Sequence, residues 1–287
     1  MENLKGILFM LLSMAGFAVE DALIKVLSTT LPISQILVVL GMAGALLFAV
    51  LALFWGEKLY SEDIKTKPFM IRLGADMLAP LFFLPALALL PLATLTSILQ
   101  AAPIMVTLGA ALFLGQSVGW RRWSAIFAGF IGMLIIVRPG MEGFDAAALL
   151  ALLGVTFLSI RDLATRVIRT ELSTLTVTAY SFAVMAIAGC ILIPFFDPFL
   201  WPTPREWALF ALSTCIGGMA YAAFVKATRA GDVAVIAPFR YSRLVFALFI
   251  AVFFLGERPD WQTLLGASII IASGLYTFWR EQVAAHR

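Results

Sequence analysis

Shifting the numbering by 141 lays the second half of this 287-residue chain on the first without a gap. Asp21 falls on Asp162 and Lys25 on Arg166 (162 − 21 = 166 − 25 = 141). Phe83 and Ala86 fall on Phe224 and Ala227, Phe113-Leu114-Gly115-Gln116 on Phe254-Leu255-Gly256-Glu257, and Trp120 on Trp261. An offset that holds from the first apolar segment to the last marks a duplication. Each copy carries about five runs long enough to cross a bilayer. Five is odd, so the two copies insert upside down relative to each other. Inverted repeats of this kind are a signature of secondary transporters.

The runs are 5–27, 32–55, 68–90, 91–114, 120–137, 145–166, 172–195, 204–228, 232–255 and 260–280. Each approaches the roughly 20 residues that a helix needs to span about 30 Å of hydrocarbon. They are continuously apolar rather than alternating, which selects helices over a barrel. A chain that is 62% hydrophobic and 13% charged has too little polar surface to close around a soluble core. The longest connection, from Gly56 to Lys67, is a short charged loop. The expected fold is an all-α membrane protein of ten transmembrane helices in two inverted five-helix repeats, residues 1–140 and 141–287.

Charge placement orients the chain. With a cytoplasmic N-terminus, Lys5, Lys58, Lys65, Lys67, Arg72, Arg121, Arg122, Arg166, Arg169, Lys226, Arg229, Arg280 and Arg287 fall on the cytoplasmic side. Only Arg138, Arg205 and Arg258 fall outside, so the positive-inside rule puts both termini in the cytoplasm. The net charge of +3 therefore reflects topology, and a nucleic-acid partner is not indicated. All seven tryptophans lie at run ends, as an aromatic belt requires. The first run contains Glu20-Asp21 and no small-residue cleavage site follows it, so it reads as a retained helix, not a signal peptide. Cys190 and Cys215 read as buried structural thiols.

The only histidine, His286, lies in the C-terminal tail, so neither a triad nor a zinc site is supported. No phosphate loop of the G-x-x-x-x-G-K-[ST] type is present. The chain reads as no enzyme, with no cofactor and no metal, driven by a solute or ion gradient.

An ionised residue near the bilayer centre costs about 2.5–3.5 kcal/mol on insertion scales, so each needs a partner or a wet cavity. Asp21 and Lys25 are four apart, as are Asp162 and Arg166, and such pairs share a helical face. Arg72 and Asp76 repeat the spacing and read as an interfacial pair. The charges without a copy are better candidates for reading an asymmetric substrate. Glu20 aligns with Arg161, Arg240 with Leu99 and Arg243 with Ala102. Arg240 and Arg243, three apart after Pro238, share a face that cannot point at lipid. Two readings stand: they neutralise Glu20, Asp21 or Asp162, or one of them grips an anionic substrate group in a bidentate way. Glu20 is a candidate to bind an ammonium or to carry a coupling proton, with Asp21 and Asp162 as further coupling candidates. Ala125 and Gly129, like Ser268 and Ala272, have the small-x-x-x-small spacing of close helix contacts. Gly217-Gly218 marks a close approach or a hinge.

The duplicated five-helix unit, Ala22-Leu23-Ile24-Lys25 at the end of the first run, and Phe254-Leu255-Gly256-Glu257 followed by Trp261 resemble the drug/metabolite transporter superfamily. More narrowly, the chain resembles the bacterial ten-helix proteins with two EamA repeats, over nearly its whole length. The first copy departs from the pattern, with Gln116 in the glutamate position, so the acid there reads as a helix cap or loop anchor. The resemblance implies a central cavity lined by spans 1, 3, 4, 6, 8 and 9 that opens alternately to each side. Mapped here, the cavity candidates are Phe17, Glu20, Phe83, Gln100, Arg161, Tyr221, Phe239, Arg240, Tyr241 and Arg243. Their aromatic share suits an apolar or aromatic side chain, and their mix of acids and arginines suits a zwitterion.

The reading is a bacterial inner-membrane carrier of small molecules, monomeric or homodimeric in the lipid bilayer, that exports amino acids by alternating access. The rivals are an importer of an anionic or zwitterionic metabolite such as a vitamin or S-adenosylmethionine, a solute channel and a receptor.

Overall fold

The computed structural model describes residues 2–113, 120–138, 145–168, 172–195, 198–229 and 236–285. Leu114-Gly115-Gln116, the repeat boundary at 140/141, residues 232–235 of the ninth run and His286 lie outside these segments. All regular structure among the described residues is helical. The first three runs form α1 (Glu2–Leu27), α2 (Ile33–Phe54) and α3 (Lys67–Leu89). The fourth run is divided into α4 (Leu92–Leu99) and α5 (Ala102–Phe113). Then follow α6 (Trp120–Val137), α7 (Ala147–Val167), α8 (Thr174–Leu192) and α9 (Pro204–Arg229). The ninth run enters as a 3-10 segment, Ala237–Tyr241, and continues as α10 (Ser242–Phe253). The tenth is α11 (Trp261–Ala285).

The punctuation follows from local chemistry. Pro32 and Pro91 stand immediately before α2 and α4, where a missing N–H costs no helical bond. Gly56 and Gly256 follow α2 and α10 with φ of 70° and 68°, a left-handed turn that glycine adopts without strain. The hydroxyl of Ser173 accepts the N–H of Thr176 and caps α8.

Among the described residues, seven helical spans are long and apolar enough to cross a membrane, the α4–α5 stretch counted as one, and Trp123–Val137 and Trp261–Tyr276 are shorter apolar helices. Large apolar side chains such as Phe54, Leu112, Phe113, Phe127 and Met219 point outwards, while Ser34, Gln35, Thr96 and Ser97 are buried. That distribution is the reverse of a water-facing protein and suits a lipid-facing one. Cys190 and Cys215 are exposed, contrary to the expectation of buried thiols. An apolar exterior accepts a weakly polar thiol, so burial is not required of them.

The described chain forms two compact units, and each draws on both halves of the sequence. The first contains Met1–Leu23, Leu89–Leu149 and Cys215–Arg287; the second contains Ile24–Ala88 and Leu150–Thr214.

The second unit contains α2 packed on α8. These helices are copies of each other, since Ile33 and Thr174 are 141 apart. Gly41 lies against Ala186, Gly44 against the Phe182 ring and Gly189 against Leu37 and Val38. One index rises as the other falls, so the copies run antiparallel. The ends agree. The Thr176 hydroxyl donates to the Lys58 carbonyl (2.9 Å) and the Tyr180 hydroxyl to that of Leu59 (3.0 Å), near the end of α2. At its start, Gln35 exchanges two bonds with the Leu200 backbone, at 2.7 and 2.9 Å. An antiparallel contact between copies is the inversion made visible.

The first unit repeats this with α6 and α11, whose first residues Trp120 and Trp261 are also copies. Gly129 lies against Ser273, Gly132 against Gly266 and Ile270, and Gly266 against Ile136. Of the small residues read from the sequence, Gly129 serves this packing and Ala125 is buried, whereas Ser268 and Ala272 are exposed on α11, because the close contact there is made by Gly266, Ile270 and Ser273 instead. Arg138, at the end of α6, pairs with Asp260 just before α11.

Candidate substrate and coupling site

In the first unit, α1 runs antiparallel to α9, with Gly16 against Ala220 and Glu20 against Gly217. The next residue, Asp21, is buried and accepts two bonds from Arg243 of α10, at 2.6 Å from Nη2 and 3.2 Å from Nε. The Arg243 guanidinium also lies 5.2 Å from the centre of the Phe17 ring. Arg243 thus neutralises Asp21, one of the two readings of the arginine pair. Arg240 lies in the 3-10 segment, with its guanidinium 5.4 Å from the centre of the Phe224 ring. Such contacts stabilise a desolvated cation by about 2 kcal/mol. Phe17, Phe224 and Phe239 pack on Met10, Met14, Ala227 and Ile236. Tyr221 lies half-buried on α9.

Gln100 sits where α4 gives way to α5, and its Nε2 donates to the Tyr241 carbonyl at 2.9 Å. These two residues are copies of one position (241 − 100 = 141). The Tyr241 hydroxyl presses on Gly274 of α11, where a Cβ would occupy its place. The unit therefore interrupts both copies of this span at the same repeat position and ties the interruptions together. Freed backbone groups at such breaks mark substrate regions in inverted-repeat carriers.

Phe83, Arg161 and Asp162 belong to the second unit. Phe83 packs on Gly154 of α7. Arg161 donates to Asp162 at 2.8 and 3.0 Å and lies 3.8 Å from Asp76. Asp76 also receives Arg72 at 2.9 Å and the Ser181 hydroxyl at 2.7 Å, and Arg72 donates to Thr165 at 3.0 Å. Arg72 and Asp76 are each 7% exposed, so the pair is buried against neighbouring helices. The reason is that α7 and α8 supply Thr165 and Ser181 to satisfy it, which no spacing along α3 discloses. Lys25 donates to the carbonyls of Leu87 and Ala88 at 2.8 and 3.0 Å, closing the C-terminus of α3. The side chain of Arg166 lies outside the described residues.

Two participants escape a reading of charges alone: Phe224 as the platform for Arg240, and Gly217 as the seat of Glu20. The first had a signal in the sequence, since Phe224 is the copy of Phe83. Glu257 caps a helix, as the departure at Gln116 suggested. Its two oxygens accept the N–H groups of Leu92 and Ala93 at 2.7 and 3.1 Å, at the start of α4. Among the described residues no three His, Cys, Asp or Glu side chains come together as a metal site.

The pattern of the EamA-like transporter family matches residues 4–138 and again 145–279. The chain belongs to the EamA-like transporter family. It is 27% identical to an S-adenosylmethionine uptake transporter of Rickettsia conorii, over 99% of this chain and 96% of that one. It is 27% identical to a pseudopaline exporter of Pseudomonas aeruginosa, over 93% and 94%. A riboflavin transporter of Vibrio cholerae is 25% identical over 97% and 95%. A solved crystal structure covers 96% of this chain and 95% of its own with a TM-score of 0.64 at 18% identity, a likeness of fold alone. The protein is thus a multi-pass membrane transporter of small molecules.

Proposed function

We propose that this EamA-family transporter carries zwitterionic metabolites with an α-aminocarboxylate, amino acids among them, across a bacterial inner membrane by alternating access. Both termini face the cytoplasm in this reading, as the placement of Lys and Arg supports. The observation that carries it is the grouping in the first unit of Arg240 on Phe224, Arg243 on Phe17, and the carboxylates of Glu20 and Asp21. A guanidinium is planar and its fork of N–H groups matches a carboxylate. Arg240, over Phe224 at the interruption of its span, is the arginine assigned to the substrate carboxylate. Of the three coupling candidates, Asp21 and Asp162 are held by arginines, which leaves the coupling role to Glu20. The relatives named for import and for export support carriage of polar metabolites in either direction, set by the gradient that is present.

The test is uptake into proteoliposomes of purified protein, with labelled amino acids and their carboxamide analogues. Arg240→Ala should weaken transport of the carboxylates about tenfold to a hundredfold, the worth of one charge-assisted bond, and leave the amides nearly unaffected. Equal losses for both classes, or no saturable flux in the unaltered protein, would refute the reading.

A further inference from the structure

Three cations of the first unit rest on aromatic rings, and the three rings belong to one cluster. Arg243 lies over Phe17 at 5.2 Å, Arg240 over Phe224 at 5.4 Å and Lys226 over Phe9 at 5.7 Å. Phe9, Phe17 and Phe224 all pack on Met10, Met14, Ala227 and Ile236. Phe9 and Phe17 are eight residues apart on α1, about 12 Å along its axis. Phe224 is on α9, which runs antiparallel to α1 with Ala220 beside Gly16. Four residues further along α9, Phe224 stands level with the stretch between Phe9 and Phe17. The three rings are therefore rungs roughly 6 Å apart.

Exposure follows the same order. Lys226 is exposed, Arg240 is half-buried, and Arg243 is half-buried where it meets the buried Asp21. Lys5, four residues before Phe9, is exposed at the same end of α1. Among the described residues Lys226 makes no ion pair. A ring holds a cation without cancelling its charge, so a cation seated on a ring still attracts an anion.

The duplication supplies a comparison. Subtracting 141 from 226, 240 and 243 gives Pro85, Leu99 and Ala102. The other copy fills all three places with apolar residues, so packing of this unit type does not demand a cation at any of them. The repeats are inverted, so the equivalent end of the other copy faces the opposite side of the membrane. The row of positive charge therefore opens towards one face only.

We infer that Lys226 is the outer station of an anion path, which collects the substrate carboxylate at one face of the membrane and hands it to Arg240. This rests on the proposed carriage of α-aminocarboxylates and adds to it a residue outside the binding site and a preferred side of entry. Rungs one helical turn apart let a carboxylate meet the next cation before it leaves the last. The placement of Lys and Arg makes that face the cytoplasmic one. A charge at one mouth speeds capture from that side and leaves the equilibrium across the membrane unchanged.

The experiment uses the full chain in proteoliposomes sorted by orientation, as Lys226→Met and Lys226→Arg. Initial rates for a labelled amino acid and its carboxamide are measured from each face. Lys226→Met should raise KM for the carboxylate about tenfold from the Lys226 face, with the maximal rate, the amide and the opposite face changed by less than about twofold. Lys226→Arg should restore the unaltered KM. Added salt should raise that KM in the unaltered protein and much less in Lys226→Met. Equal changes for acid and amide, equal changes from both faces, or no change in KM overturn the station. If Arg240→Ala discriminates acid from amide while Lys226→Met does not, the station falls and the proposed function stands.

A readout independent of flux places a cysteine at Tyr221 in a background of Cys190→Ser and Cys215→Ser. Tyr221 is four residues beyond Gly217 and three before Phe224, on one face of α9. Labelling of Tyr221→Cys by an anionic methanethiosulfonate, relative to a cationic one, should fall about fivefold to tenfold when Lys226→Met is added, the effect of one charge roughly 10 Å away near a protein surface. An unchanged ratio, or no labelling, overturns the path. Absent amino-acid flux with a shifted ratio removes the reading of the substrate and leaves the anion path standing.

Discussion

Breaking the bond between Asp21 and Arg243 tests how the first unit holds charge inside a membrane. Asp21 is 5% exposed and takes both bonds from one guanidinium, on a single oxygen. Arg243→Gln removes the cation and strands a buried carboxylate, which costs about 3–5 kcal/mol. At about 2–4 °C per kcal/mol, the melting temperature should fall by about 6–20 °C. Asp21→Asn alone leaves the arginine partly compensated, because it keeps the face of Phe17 and the nearby Glu20 carboxylate. It should cost less. The double variant has neither charge and should recover much of the loss, since a neutral buried pair often matches a buried ion pair in stability. The assay is a double-mutant cycle on protein in nanodiscs, read by tryptophan fluorescence on heating. A coupling energy within about 0.5 kcal/mol of zero, the size found for a water-exposed pair, would refute the claim that this bond is desolvated.

Gly41→Ala should destabilise by about 1–3 kcal/mol through overpacking, because the new methyl meets the backbone of Ala186 and α2 must part from α8; chemical unfolding in mild detergent measures it. Glu257→Ala should cost about 1–2 kcal/mol and speed hydrogen exchange at Leu92 and Ala93, whose N–H groups lose their acceptor; unchanged exchange there would remove the capping role. Burial works against the charge of Asp260, but the bonds from Thr263 and Arg138 outweigh it and hold its carboxyl below the ordinary range. Its stabilisation is therefore present above the unfolded-chain value and lost as pH falls through the lower, folded one. Melting curves taken across the acid range should show this loss in the unaltered protein and a flatter profile in Asp260→Asn.

The duplication was legible because it is a property of order alone, and apolar runs of about 20 residues admit few structures in lipid. The opposite directions of α2 and α8, and of α6 and α11, follow from that same order; that these copies touch does not. Local spacing was less informative about charge. Asp21 and Lys25 suit one helical face, yet Asp21 is held by Arg243 and Lys25 donates to α3 carbonyls. A residue four positions away offers a few tenths of a kcal/mol, whereas a buried partner from another helix decides whether the charge is tolerated at all. The interruption at Gln100 was also hidden. The acceptor that makes the break stable, the Tyr241 carbonyl, comes from the other copy.

That last contact has a consequence for the history of the chain. A position that touches its own duplicate behaves like a word that reads into its mirror image. While the two halves were encoded once, any change there altered both sides of the contact together. In a single chain that constraint is lifted, and the two sides can differ, here a glutamine on one and on the other a tyrosine that lends its carbonyl. Lopsided chemistry along the axis is therefore a privilege of the single-chain form, unavailable to a carrier assembled from two identical subunits.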